Sequence, residues 1–108
     1  MTILSENKAR QVLQFTNCID SALDVFGDSF KHVVYWNLER SFGVKREEIA
    51  LKPRKFEAII DKIFGAGADT VKKILVRRIT EIIGSRNEEN SELDAVLKQA
   101  YKHFIDTE

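Results

Sequence analysis

Two glycines followed by lysines, in "IFGAGADTVKK" from Ile63 to Lys73, come closest to a chemical motif in this sequence. A phosphate-binding loop uses glycines so that several backbone N–H groups converge on an anion at a helix N-terminus; it usually follows a strand and puts a lysine directly after its last glycine. Here the preceding "FEAIIDKIF" has helical spacing, and Thr70 stands where the third glycine of Gly-x-Gly-x-x-Gly belongs. Asp69 adds a negative charge in the first turn of the following helix, where it suits the helix dipole and repels phosphate. Lys72 and Lys73 arrive a full turn late. The glycines therefore read as punctuation: Gly65 stops one helix and Gly67 eases the start of the next.

The other reactive side chains are scattered. Cys18, His32 and His103 are the candidate sulfur and nitrogen ligands, and no local spacing pairs them, so no metal site is expected. Carboxylates are neighbours at Glu47 and Glu48 and at Glu88 and Glu89, but both pairs fall in polar connections. Acid–base catalysis needs two contrasting environments, which such connections do not supply. No nucleophile elbow, zinc-protease pair or calcium loop occurs. The expectation is a chain that is not an enzyme, with no catalytic residue, no cofactor and no evident small-molecule substrate.

Composition sets the frame for whatever these residues do. The 108 residues are 44% hydrophobic and 31% charged, an ordinary globular balance and a length that suits one helical domain over residues 1–108. Seventeen basic and seventeen acidic residues cancel, so no overall field draws the chain to nucleic acid or an anionic membrane. Charge is nonetheless uneven: ten basic face five acidic residues from Gly43 to Arg78, and three face seven from Ile79 onward. A lone cysteine, an N-terminus unlike a signal peptide and the lack of a membrane-length apolar run give a cytoplasmic expectation with no membrane partner.

Helical periodicity runs from end to end, which predicts an all-α, compact bundle of about five helices with short connections. The first helix spans Ser5 to Phe26, with Val12, Phe15, Ile19, Ala22, Leu23 and Phe26 on one stripe, and Gly27 ends it in the left-handed position. Gly27 or Asp28 caps the second, whose apolar residues Phe30, Val33, Val34, Leu38 and Phe42 recur until Gly43. A short turn is expected around Glu47 to Ala50. Pro53 then opens the third helix, where a missing N–H costs nothing, and Phe56, Ile59, Ile60, Ile63 and Phe64 point inward. The fourth runs from Ala68 to Ile83 and is closed by Gly84. After the loop-like "SRNEEN", Ser91 and Asp94 resemble a capping pair for a last helix carrying Leu93, Val96, Leu97, Ala100, Tyr101, Phe104 and Ile105 on one face.

Two helices carry the functional expectations. On the fourth, Val71, Leu75, Ile79, Ile82 and Ile83 form a stripe while Ile74 lies off it and Val76 at its edge. Such a helix runs through the middle of the bundle or is covered in part by a second chain, and the central position is the favoured one. Lys73 and Arg77 then stay in water. On the second helix Trp36 falls between His32 and Arg40, away from the stripe. It is either an exposed contact residue or a ring covered by a neighbouring helix; the sequence allows both. The expected function is a non-enzymatic interaction module that binds a protein partner or a second copy of itself, with His32, Trp36, Arg40, Lys73 and Arg77 as the partner-binding candidates.

The rival reading is DNA binding. Residues 53–80 look like a helix-turn-helix with Lys72, Lys73, Arg77 and Arg78 on its second helix, aided by Lys45, Arg46, Lys52, Arg54 and Lys55. Asp69 at the tip of that helix and the zero net charge count against it.

The stretch from Gly27 to Leu75 resembles a small archaeal family described as a Nitrosopumilus output domain. The resemblance lies in the "GDS" opening, the aromatic "YWNLE", the "FGV" joint, the lone proline before "KFE" and the "IFGAGA" turn. It implies an archaeal, cytoplasmic helical module acting in signal transduction, and it transfers no catalytic residue.

Overall fold

In the computed structural model the described residues are 2–84 and 92–105, with the side chains of the first helix described from Lys8 onward. Five α-helices follow one another: α1 (Thr2–Asp24), α2 (Asp28–Phe42), α3 (Pro53–Phe64), α4 (Ala68–Ile83) and α5 (Leu93–Phe104). Two short 3-10 helices, Arg46–Leu51 and Gly65–Gly67, sit in the connections on either side of α3. The fold is all-α, with no strand among the described residues.

The clearest helices are those with a start signal, a stop signal and one apolar face. Pro53 opens α3, and Phe56, Ile59 and Ile60 on its inner face are at most 1% exposed. Gly43 and Gly84 close α2 and α4 in the left-handed conformation, and their N–H groups bond the last free carbonyls of each helix. The expected turn near Glu47 is the 3-10 helix Arg46–Leu51, started by Glu48, whose carboxylate accepts the Lys45 backbone N–H at 2.9 Å.

A single apolar cluster draws on all five α-helices, with Phe15, Ile19, Leu38, Phe56, Leu75 and Leu97 among its fully buried members. Each such side chain contributes about 1.5–3 kcal/mol relative to exposure. The central position expected for the fourth helix is observed: α4 packs against α1, α3 and α5 and buries Ala68, Leu75, Val76, Ile79 and Thr80. Thr80 is polar yet costs little, because its hydroxyl donates to the carbonyls of Val76 and Arg77 at 3.0 and 2.9 Å. Thr16 does the same toward Val12 at 2.9 Å.

Three expectations need correction. First, α1 begins earlier and ends at Asp24, so Phe26 lies in the turn beyond it, stacked on Phe30, which in turn stacks on Phe64. Second, Gly27 is not a left-handed stop: its φ of 98° and ψ of 166° form an extended mirror-image conformation that glycine alone adopts readily, and it precedes α2 as its N-cap. Third, Val33 is 43% exposed, because α2 turns Val34 and Leu38 inward instead. The Ser91–Asp94 cap, the "SRNEEN" loop and the Glu88–Glu89 pair involve residues outside the described set; α5 takes Glu92 as its N-cap, without a side-chain bond.

Candidate functional site

Two polar contacts join α2 to α1, and a third ties the following 3-10 helix to one of the same aspartates. Lys31 Nζ lies 2.7 Å from Asp24, the Tyr35 hydroxyl donates to Asp20 at 2.5 Å, and Arg46 from the 3-10 helix reaches the other Asp20 oxygen at 3.3 Å. With Lys31 and Tyr35 committed to α1 and with Val34 and Leu38 inward, helical geometry leaves Trp36 pointing outward. Its side of the helix is uncovered: Trp36 is 60% exposed, and His32 and Arg40, one turn before and after, are exposed as well. The Arg40 guanidinium sits over the indole, 4.9 Å from the ring centroid. At an exposed site such a cation–π contact favours this arrangement of the two side chains by about 0.5–1 kcal/mol.

Val33, Tyr35, Asn37 and Glu39 complete the lining of an open depression around His32 and Trp36. Its floor is more apolar than polar. Of the five partner-binding candidates, the fold therefore gathers His32, Trp36 and Arg40 on one surface. Lys73 and Arg77 are exposed as expected, but α4 makes no contact with α2, so these two belong to a different face.

The helix-turn-helix-like segment carries fewer free cations than its sequence suggests. Lys72 is partly covered between α3 and α4, with Nζ 2.8 Å from Asp61 and 3.5 Å from Glu57, and the hydrogen bond to Asp61 raises its pKa. Arg78 lies 3.5 Å from Glu81, and Arg54 lies 3.5 Å from Asp94. Lys73 and Arg77 have no carboxylate within ion-pair distance among the described residues. In the glycine turn, the Ala68 N–H is already bonded to the Gly65 carbonyl, so one of the amides that a phosphate loop would present is spent internally.

Besides the lysines held by carboxylates, Lys31 and Lys72, two further groups have raised pKa values, both away from neutrality. Burial pushes the Cys18 thiol up to about 11, and burial together with the Asp20 hydrogen bond raises the Tyr35 phenol above its ordinary 10.0. Both stay protonated at neutral pH, which makes Cys18 a small core side chain and not a nucleophile. His103 meets the edge of Phe104 at 4.7 Å, and no cluster of three metal-ligating side chains forms among the described residues.

Two surface features escaped the sequence reading. Leu13, beside Lys8, Ala9 and Val12 on α1, lines a groove closed by Arg46 and Glu47. A smaller depression between α3 and α5 is lined by Arg54, Glu57, Ala58, Asp61, Glu92 and Asp94. Each joins residues far apart in sequence, so no local spacing signals it. No described helix is long and apolar enough to cross a membrane.

No protein-family model, curated protein or solved structure matches the chain. The likeness of Gly27–Leu75 to the output-domain family rests on the quoted motifs alone.

Proposed function

We propose that this chain is a non-enzymatic helical interaction module that binds a protein partner through the outer face of α2, in a signalling or regulatory role. The observation that carries the reading is the 60% exposure of Trp36, fixed beneath Arg40 and flanked by half-exposed Val33. Tryptophan and arginine are the side chains most enriched where binding energy concentrates. Fixing them before contact lowers the ordering cost that association otherwise carries. The resemblance to an archaeal output domain adds the signalling role and a cytoplasmic setting to this reading.

The test compares variants of the protein isolated with its native partners. Trp36→Ala should weaken the complex by about 2 kcal/mol or more, and Lys73→Glu with Arg77→Glu should leave it intact. Equal retention by Trp36→Ala would overturn the reading. Sedimentation equilibrium of the purified chain decides whether the partner is a second copy; a monomer at high concentration removes that version.

DNA binding through residues 53–80 is the second reading, favoured by the exposure of Lys73 and Arg77, neither of which has a carboxylate within ion-pair distance among the described residues. It requires salt-sensitive binding of duplex DNA that the Lys73→Glu, Arg77→Glu variant loses. No anisotropy change at low salt eliminates it.

A further inference from the structure

The described cations differ in what holds them. Lys31, Arg46, Arg54, Lys72 and Arg78 each have a carboxylate within 4.0 Å. Other described cations, Lys73 and Arg77 among them, have no such partner, and three of these gather where the last turn of α2 meets α3. Arg40 lies over Trp36, Lys55 Nζ lies 5.0 Å from the centre of the Phe42 ring, and Lys62 Nζ is 3.1 Å from the Ser41 hydroxyl. None of these three has a carboxylate within ion-pair distance among the described residues.

Arg40, Ser41 and Phe42 are consecutive, and Lys55 and Lys62 are two turns apart on one side of α3. Rings and a hydroxyl thus hold three cations in place without discharging them. A neutral partner leaves the full positive charge for another molecule, and a side chain already held loses less freedom on binding.

We infer that the contact face of α2 receives an acidic protein segment bearing an apolar side chain. Its carboxylates meet Arg40, Lys55 and Lys62, and its apolar group lies against Trp36 and Val33. The inference rests on the reading of α2 as the contact face and adds the partner's chemistry to it. A nucleic acid fits less well, because its backbone is charged at every residue and Glu39 stands exposed in the same depression. A peptide places its carboxylates on the α3 side only. A second copy offers less: in the α3–α5 depression Glu57, Asp61 and Asp94 are already committed to Lys72 and Arg54, which leaves only Glu92 of the acids lining it.

Trp36 is the only tryptophan in the chain, so its emission reads this face directly. The probe is a glutamate–leucine copolymer titrated at low salt, with single-stranded DNA of similar length in a parallel arm. The copolymer should change Trp36 emission, and Arg40→Gln with Lys62→Gln should weaken its binding on the order of tenfold. Lys55→Gln alone should weaken it less, and Lys73→Gln with Arg77→Gln should not matter. An unchanged emission, an equal loss in the Lys73, Arg77 variant, or tighter binding of the DNA would each overturn the inference. If the Arg40, Lys62 variant keeps a native complex that Trp36→Ala loses, acidic recognition is refuted and the α2 contact face stands. If Trp36→Ala keeps that complex, the contact face itself falls.

Discussion

Gly65 and Gly67 look interchangeable in "FGAG", yet their backbones separate them. Gly65 has φ 53° and ψ −119°, a conformation strained for any side chain, whereas Gly67 has φ −84° and ψ −3°, which every residue adopts. A Cβ added at Gly67 meets nothing within 4 Å. Gly67→Ala should therefore stabilise the protein by about 0.4–1 kcal/mol through the unfolded chain. Gly65→Ala should cost about 1–3 kcal/mol. Urea denaturation of the two variants measures both signs, and a shared sign would contradict the assigned backbone angles. Sequence alone recognised both residues as punctuation; which of the two is obligatory depends on dihedral angles that composition does not encode.

Among the elements, α3 and α4 were legible because their boundaries are marked, and α3 because its apolar face is unambiguous as well. On α4 the edge residue Val76 is buried along with Leu75 and Ile79. Pro53, Gly65 and Gly84 sit at their ends, and Ile60 fell on the inner stripe, where it is 0% exposed. Ile60→Ala should cost about 2–5 kcal/mol, read as a lowered denaturation midpoint with an unchanged slope. Phe104→Ala should cost less, since Phe104 is only partly buried. The face of α2 was harder to read. Val33 and Val34 are adjacent and both apolar, so periodicity cannot choose between them. The bonds from Tyr35 to Asp20 and from Lys31 to Asp24 set the choice, and they depend on how α1 and α2 lie together. The exposure of Trp36 was undecided for the same reason. The pairing of Lys72 with Asp61 likewise needs the α3–α4 packing to exist before it can be seen.

For the whole molecule, the radius of gyration of 13.5 Å is close to the roughly 13 Å of a compact 100-residue domain. That compactness links titration to global stability. Cys18 and Tyr35 hold their protons more tightly when folded than when unfolded, so the unfolded chain ionises first as pH rises. Their contribution is complete below about pH 9 and is lost upward, for Cys18 between its ordinary 9.0 and about 11. The melting temperature should fall over that interval. Cys18→Ala should flatten the fall, and a profile identical to the parent's would show that the thiol is not the responsive group. From about its ordinary 10.0 upward Tyr35 adds to the decline in both proteins.

Because α1 packs on α4 and α5 as well as on α2, its oily residues find their last neighbours only in the final stretch of the chain. During synthesis from the N-terminus, Phe15, Ile19 and Leu23 leave the ribosome well before Leu93 to Ile105 are made. A nascent chain arrested ahead of α5 thus displays greasy surface that the finished protein hides, which is the kind of surface chaperones recognise.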